Sequence, residues 1–110
     1  MALSKEVEQK INQLQMMEQS VNSLVAQKQQ FQVQIAEIES ALGELEKTDK
    51  AFKIVGNVMV SSEKGPLKEE LKNKKDVIEL RVKNLDKQEQ QIKEKTSKMQ
   101  EEVMQQMKEK

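Results

Sequence analysis

Apolar side chains recur at alternating steps of three and four residues through the first half of the chain. The run comprises Leu3, Val7, Leu14, Met17, Val21, Leu24, Phe31, Ile35, Ile38, Leu42 and Leu45, and the lysines Lys10 and Lys28 take the two remaining heptad positions. This spacing predicts a coiled-coil helix, which we expect over residues 2–47. A lysine at such a position can fix register or partner choice, or its side chain can simply reach past the seam to water.

A second, narrower heptad stripe follows in the last third of the chain. Its main positions lie seven residues apart at Leu71, Ile78, Leu85, Ile92 and Met99, and its companion positions are mixed, at Lys75, Val82, Glu89, Thr96 and Val103. Pro66 favours a helix start at this point because its missing N–H has no intrahelical partner there. We therefore expect a second helix over residues 66–108 that packs less tightly than the first.

The segment between the helices, AFKIVGNVMVSS at 51–62, is the one run rich in β-branched and aromatic residues. The pair Gly56-Asn57 inside it predicts a two-residue hairpin turn, with glycine supplying a positive φ. Pairing Val55 with Val58 leaves apolar residues on both faces. One face carries Phe52, Ile54 and Met59, and the other carries Val55, Val58 and Val60.

Such a hairpin is marginally stable alone and has two unpaired edges. We therefore predict that these six residues form a subunit assembly surface by pairing with strands of other chains. The alternative is that the hairpin folds back on its own helices. Since the two helices match in length, they should form a long antiparallel two-helix coiled coil with the hairpin at its base. The whole chain, 1–110, is then a single, mainly α domain with both termini at a tip.

The composition of the chain excludes several classes of fold and partner but does not by itself indicate a function. With 35% apolar residues, 35% charged residues and two aromatics, the chain cannot fill a compact globular core. Its 19 basic and 19 acidic residues cancel, which gives no support for a nucleic-acid partner. We expect no membrane partner because no long apolar run exists. The absence of cysteine and of an apolar leader favours a cytoplasmic location.

The reactive side chains needed for most catalysis are missing. The chain contains neither histidine nor cysteine, and we find no phosphate-binding glycine loop and no metal-ligand spacing. We therefore predict that the protein is not an enzyme and binds no cofactor and no metal. Its function should lie in its surfaces.

Surplus apolar residues gather near the two chain ends. Every methionine except Met59 lies there, and several fall outside the heptad seam. An unbranched methionine side chain adapts to partners of varied shape, and a contiguous apolar patch indicates a contact site. The predicted contact surface comprises Leu3, Val7, Ile11, Leu14, Met99, Val103, Met104 and Met107. The alternative is that these residues cap the coil or pack on a neighbouring rod.

The order of coil, hairpin and coil, with the residues at the junctions, resembles the β-type subunit of prefoldin. The residues that carry the likeness are Ala41–Glu46, Phe52–Val60, Leu67–Leu71 and Leu80–Glu89. Phe52 stands where the family often has tyrosine. Gly43 interrupts a stretch that the family usually fills with a better helix former, which lowers helix propensity near the end of the first helix.

The resemblance implies a hexamer of two α-type and four β-type subunits whose hairpins join into an intersubunit β-barrel. It also implies an ATP-independent holding chaperone in which coil tips bind non-native polypeptides and deliver them to a group II chaperonin. Two other functions are compatible with the residues. The chain could be a structural spacer or filament component, or a tether dedicated to one folded protein.

Overall fold

The structure, a computed structural model, describes residues 4–108. Helix α1 (Lys5–Lys47) is followed by strands β1 (Ala51–Val55) and β2 (Val58–Ser62) and then by helix α2 (Lys64–Lys108). The mainly α fold of two long helices and a β-hairpin is therefore confirmed. Contacts divide the described chain into two compact units. We call residues 4–28 with 84–108 the terminal unit and residues 29–83 the hairpin unit.

Helix α1 has a capped start and passes through its one glycine. The Ser4 hydroxyl accepts a hydrogen bond from the Val7 backbone N–H at 3.2 Å, which satisfies one of the donors left free at a helix N-terminus. Glu6 and Glu8 add negative charge to the first turn, where the helix dipole favours it. Gly43 does not break the helix, because α1 continues to Lys47.

The hairpin has the predicted register. Val55 pairs with Val58, Ile54 with Met59 and Lys53 with Val60 in an antiparallel ladder. Gly56 has a φ of 61°, and no other residue type adopts a positive φ in the described part of the chain. A positive φ at the first central residue alone is the type II′ pattern, whose twist matches that of the two strands.

Helix α2 begins two residues before Pro66. The Leu67 backbone N–H donates to the Glu63 carbonyl at 3.2 Å, so Pro66 lies in the first turn, where no intrahelical N–H donor is required.

Each unit contains an antiparallel pair of helix segments packed along the heptad seam. In the terminal unit Val7, Leu24, Leu85 and Val103 are buried, and the Thr96 hydroxyl contacts the Met17 sulfur at 3.5 Å. In the hairpin unit Ile38, Leu45, Ala51 and Ile78 are buried, and the Arg81 guanidinium lies 5.9 Å from the Phe31 ring centroid. Two packed helices cover the side chains of their seam only partly and leave the remaining surface open to solvent. No large side chain within residues 4–108 is therefore completely buried.

Candidate functional site

Both faces of the hairpin expose apolar side chains. On one face Ile54 is 68% exposed and lies opposite Met59, which is 65% exposed. The opposite face carries exposed Val55, Val58 and Val60. The alternative in which the hairpin folds back on its own helices does not describe these six residues, because all of them remain open to solvent. The strand edges and both faces are available to another chain.

The hairpin is attached to the helices of its own unit at one end. Ala51 is buried, and the Lys53 ammonium donates to the two carboxylate oxygens of Glu70 on α2 at 2.8 and 3.0 Å. Beside this attachment is an open groove of about 350 Å³, whose apolar lining includes Phe52, Ile54 and Leu71. The exposed face of β1 therefore continues into apolar surface supplied by the helices.

The terminal unit divides the predicted contact residues into three groups. Val7 and Val103 are buried in the seam, whereas Met104 and Met107 are 60% and 53% exposed. Ile11, Leu14 and Met99 are half-buried. Leu3 lies outside the described residues. The structure therefore brings two methionines to the surface, and Val7 and Val103 can reach a partner only if the two helix segments separate.

A second open groove, of about 430 Å³, runs between α1 and α2 within the terminal unit. Ile11, Leu14 and Val21 supply its apolar floor, and its rim carries Glu18, Lys93 and polar side chains. Val21 is not part of the predicted contact surface, because a regular heptad position gives no sign that its side chain will border a groove. Met16 is not part of that surface either, yet its side chain is 67% exposed. Its position outside the heptad seam was the available signal.

Charged side chains form a polar layer within the seam of the terminal unit. Lys28 of α1 donates to Asp86 at 2.6 Å and to Glu89 at 2.8 Å, and Glu89 also pairs with Lys93 at 3.1 Å. Within residues 4–108, Glu89 is the one charged residue that is buried. Hydrogen bonds from Lys28 and Lys93 lower the pKa of the Glu89 carboxyl group, and hydrogen bonds to Asp86 and Glu89 raise the pKa of Lys28. The Lys28 side chain therefore does not simply reach past the seam to water, because its ammonium group pairs with two carboxylates of α2.

Over 4–108, no group of acidic, histidine or cysteine side chains is placed to hold a metal ion. Over the same range, neither helix contains a stretch apolar enough to cross a membrane.

Comparisons with known proteins agree with this arrangement. The Prefoldin subunit family matches the chain over residues 8–110. The prefoldin subunit beta of Methanothrix thermoacetophila is 36% identical over 106 residues, covering 94% of this chain and 88% of that protein. The corresponding subunit of Archaeoglobus fulgidus is 32% identical over 104 residues, covering 92% and 90%.

The fold is similar to a solved structure along nearly the same length. The crystal structure of the prefoldin beta subunit from Thermococcus strain KS-1 superposes with a TM-score of 0.88 at 29% sequence identity, and the match covers 94% of both chains. The chain therefore belongs to the prefoldin subunit family, as the residues at its helix and hairpin junctions indicated.

Proposed function

We propose that this chain is a β-type subunit of an ATP-independent holding chaperone, whose terminal unit binds non-native polypeptides. Its family supports a chaperone role in complexes with other prefoldin subunits. The observation that carries the proposal is the apolar surface of the terminal unit. This surface combines the groove floored by Ile11 and Leu14 with the exposed side chains of Met16, Met104 and Met107. A partly unfolded protein exposes apolar side chains of many shapes, which flexible methionines can accommodate.

Binding and release need no nucleotide in this mechanism. Burying one apolar side chain contributes roughly 1.5–3 kcal/mol at most, so a single contact is weak and reversible. Several terminal units held in one assembly raise the effective concentration of binding surface and retain a client that touches more than one of them. The client is released when a few contacts are lost, and we propose delivery to a group II chaperonin in the cytoplasm.

The hairpin provides the assembly surface in this proposal. Its two exposed apolar faces and its open edges suit strand pairing with an α-type subunit and with further copies of this chain. We propose a hexamer of two α-type and four β-type subunits joined through a β-barrel of hairpins, as in the family resemblance. The six exposed residues from Phe52 to Val60 support this role because they require cover that the described chain does not supply.

A light-scattering assay tests the client site. The chain is assembled with an α-type subunit, and a chemically denatured, unrelated protein is diluted into it. The test variant changes three exposed side chains of the terminal unit to glutamine, at Met16, Met104 and Met107. The matched control changes three residues of similar exposure in the hairpin unit to glutamine, at Val33, Val77 and Leu80. Native mass spectrometry verifies that both variants assemble.

We expect the parent and the control to suppress aggregation and the test variant to lose much of this activity. Equal suppression by both variants would place the client site elsewhere. If no assembled form suppresses aggregation, the chaperone proposal fails. Polymer growth with concentration would then favour a structural spacer, and saturable binding to one folded protein would favour a tether.

A further inference from the structure

Every lysine in the heptad seam is paired with a carboxylate of the opposite helix. Lys28 pairs with Asp86 and Glu89, Lys10 pairs with Glu102 at 3.3 Å, and Lys75 pairs with Glu39 at 3.1 Å. Two of these lysines lie in the terminal unit and the third lies in the hairpin unit, so the arrangement recurs. A polar layer of this kind adds little stability, because removing charges from water offsets their attraction. Its best-attested use is the choice of pairing partner in coiled coils.

The sequence around Lys28 makes α1 a poor partner for a second α1. Between Glu18 and Glu37 this helix carries no acidic residue. If two copies of α1 paired in parallel register, Lys28 would face the other Lys28. If they overlapped fully in antiparallel register, Lys28 would face the region of Leu24, inside the same acid-free segment. In either direction the nearest carboxylate of the partner would lie about 9 Å or more along the helix axis, at 1.5 Å per residue.

The rest of the α1 seam would favour such mispairing. Its other heptad positions in the described range, apart from Lys10, are apolar, and an apolar heptad seam of this length readily forms a homotypic coiled coil. The covalent link to α2 gives the correct partner a high effective concentration. Where several copies are held together, the α1 helices of other copies also reach a high effective concentration. This condition rests on the assembly proposed above.

We propose that Lys28, through Glu89 and Asp86, determines that α1 pairs with α2 rather than with α1 of another copy. The layer acts by penalising the wrong partner. A homotypic pair would leave Lys28 without a carboxylate and would leave Glu89 with only its same-helix partner Lys93, whereas the α1–α2 pair joins Lys28 to Glu89 and Asp86.

The test separates pairing choice from stability. The double variant Lys28→Leu with Glu89→Leu makes the layer apolar on both helices, so it supports either pairing. It is placed in a background with Ile54→Lys and Met59→Lys, which removes the proposed hairpin contacts. A single spin label at the exposed position Gln30 reports on contacts between copies of α1. The matched control, Lys5→Leu with Glu101→Leu, changes one exposed lysine and one exposed glutamate outside the seam.

We expect the double variant to retain its helical signal and melting temperature or to exceed those of the parent. Its dissociation constant for self-association, measured by sedimentation, should be lower than that of the parent by about tenfold or more. Labels on different copies should then approach to within roughly 30 Å, since paired helix axes lie 8–10 Å apart. The control should behave like the parent.

Two results would overturn the inference. One is a double variant that stays helical and shows no closer labels and no tighter association than the control. The other is loss of the helical signal, because an apolar layer must support one pairing or the other. Both readouts are made in the Ile54→Lys, Met59→Lys background, so neither depends on the hexamer. If this background assembled as the parent does, the assembly proposal would fail, and that result would be seen separately from the pairing result.

Discussion

The same chemical change at two glycines should have opposite effects on stability. Gly43 lies inside α1, and a Cβ built on it meets no atom within 4 Å. Gly43→Ala should therefore raise the free energy of unfolding by about 1 kcal/mol, the difference in helix propensity between glycine and alanine. Gly56 also has open space, but its φ is 61°. Gly56→Ala should lower the free energy of unfolding by about 1–2 kcal/mol, because alanine is strained in the left-handed region.

Urea denaturation followed by circular dichroism measures both effects. With a slope of roughly 1–3 kcal/mol/M, the midpoint should rise by about 0.3–1 M for Gly43→Ala. It should fall by about 0.3–2 M for Gly56→Ala. All variants are compared at one protein concentration, since self-association shifts apparent stability. A Gly43→Ala variant that is less stable than the parent would refute the description of residue 43 as exposed, regular helix. An unchanged Gly56→Ala variant would refute the type II′ turn.

Three further predictions address the seam, the hairpin and the polar layer. Ile78→Ala should lower the free energy of unfolding by about 2–4 kcal/mol, because Ile78 is buried. Leu80→Ala should change it by less than about 0.5 kcal/mol, because Leu80 is exposed. Denaturant titration measures both changes. Ile54→Lys with Met59→Lys should abolish assembly, measured by native mass spectrometry, and leave the helical circular dichroism signal intact. Since the pKa of Glu89 is lowered, its ion pairs stabilise the protein at neutral pH and stop doing so as pH falls below about 4.5. The stability difference between the parent and Glu89→Gln should therefore narrow as pH falls below about 4.5, the ordinary value for a glutamate.

Each of these predictions has its own control. Leu80 serves as the exposed partner of Ile78 on the same helix. For the hairpin, Val33→Lys with Val77→Lys adds the same charge at exposed apolar positions outside the strands and should leave assembly unchanged. For the polar layer, the matched control is Glu101→Gln, which removes an exposed glutamate outside the layer. A constant gap between the parent and Glu89→Gln across the pH range would contradict the lowered pKa.

Local sequence rules were sufficient for the secondary structure and the hairpin register. A regular heptad step demands a helix with one buried stripe, and the buried residues Leu24 and Ile38 lie on it. A Gly-Asn pair fixes which strand residues face each other, and Val55 lies opposite Val58 as predicted. These features depend on residues near one another along the chain, so periodicity and turn chemistry are enough to infer them.

Contacts across the two helices required the tertiary structure. The seam positions alone do not show that Lys28 meets Asp86 and Glu89, because the register between α1 and α2 depends on how the connecting hairpin sets the first contact. The same uncertainty affected the predicted contact surface. Val7 and Met104 are both apolar residues near a chain end, yet one is buried and the other exposed. Only the rotation of each helix about its own axis, set by packing against the other, decides which of them a partner can reach.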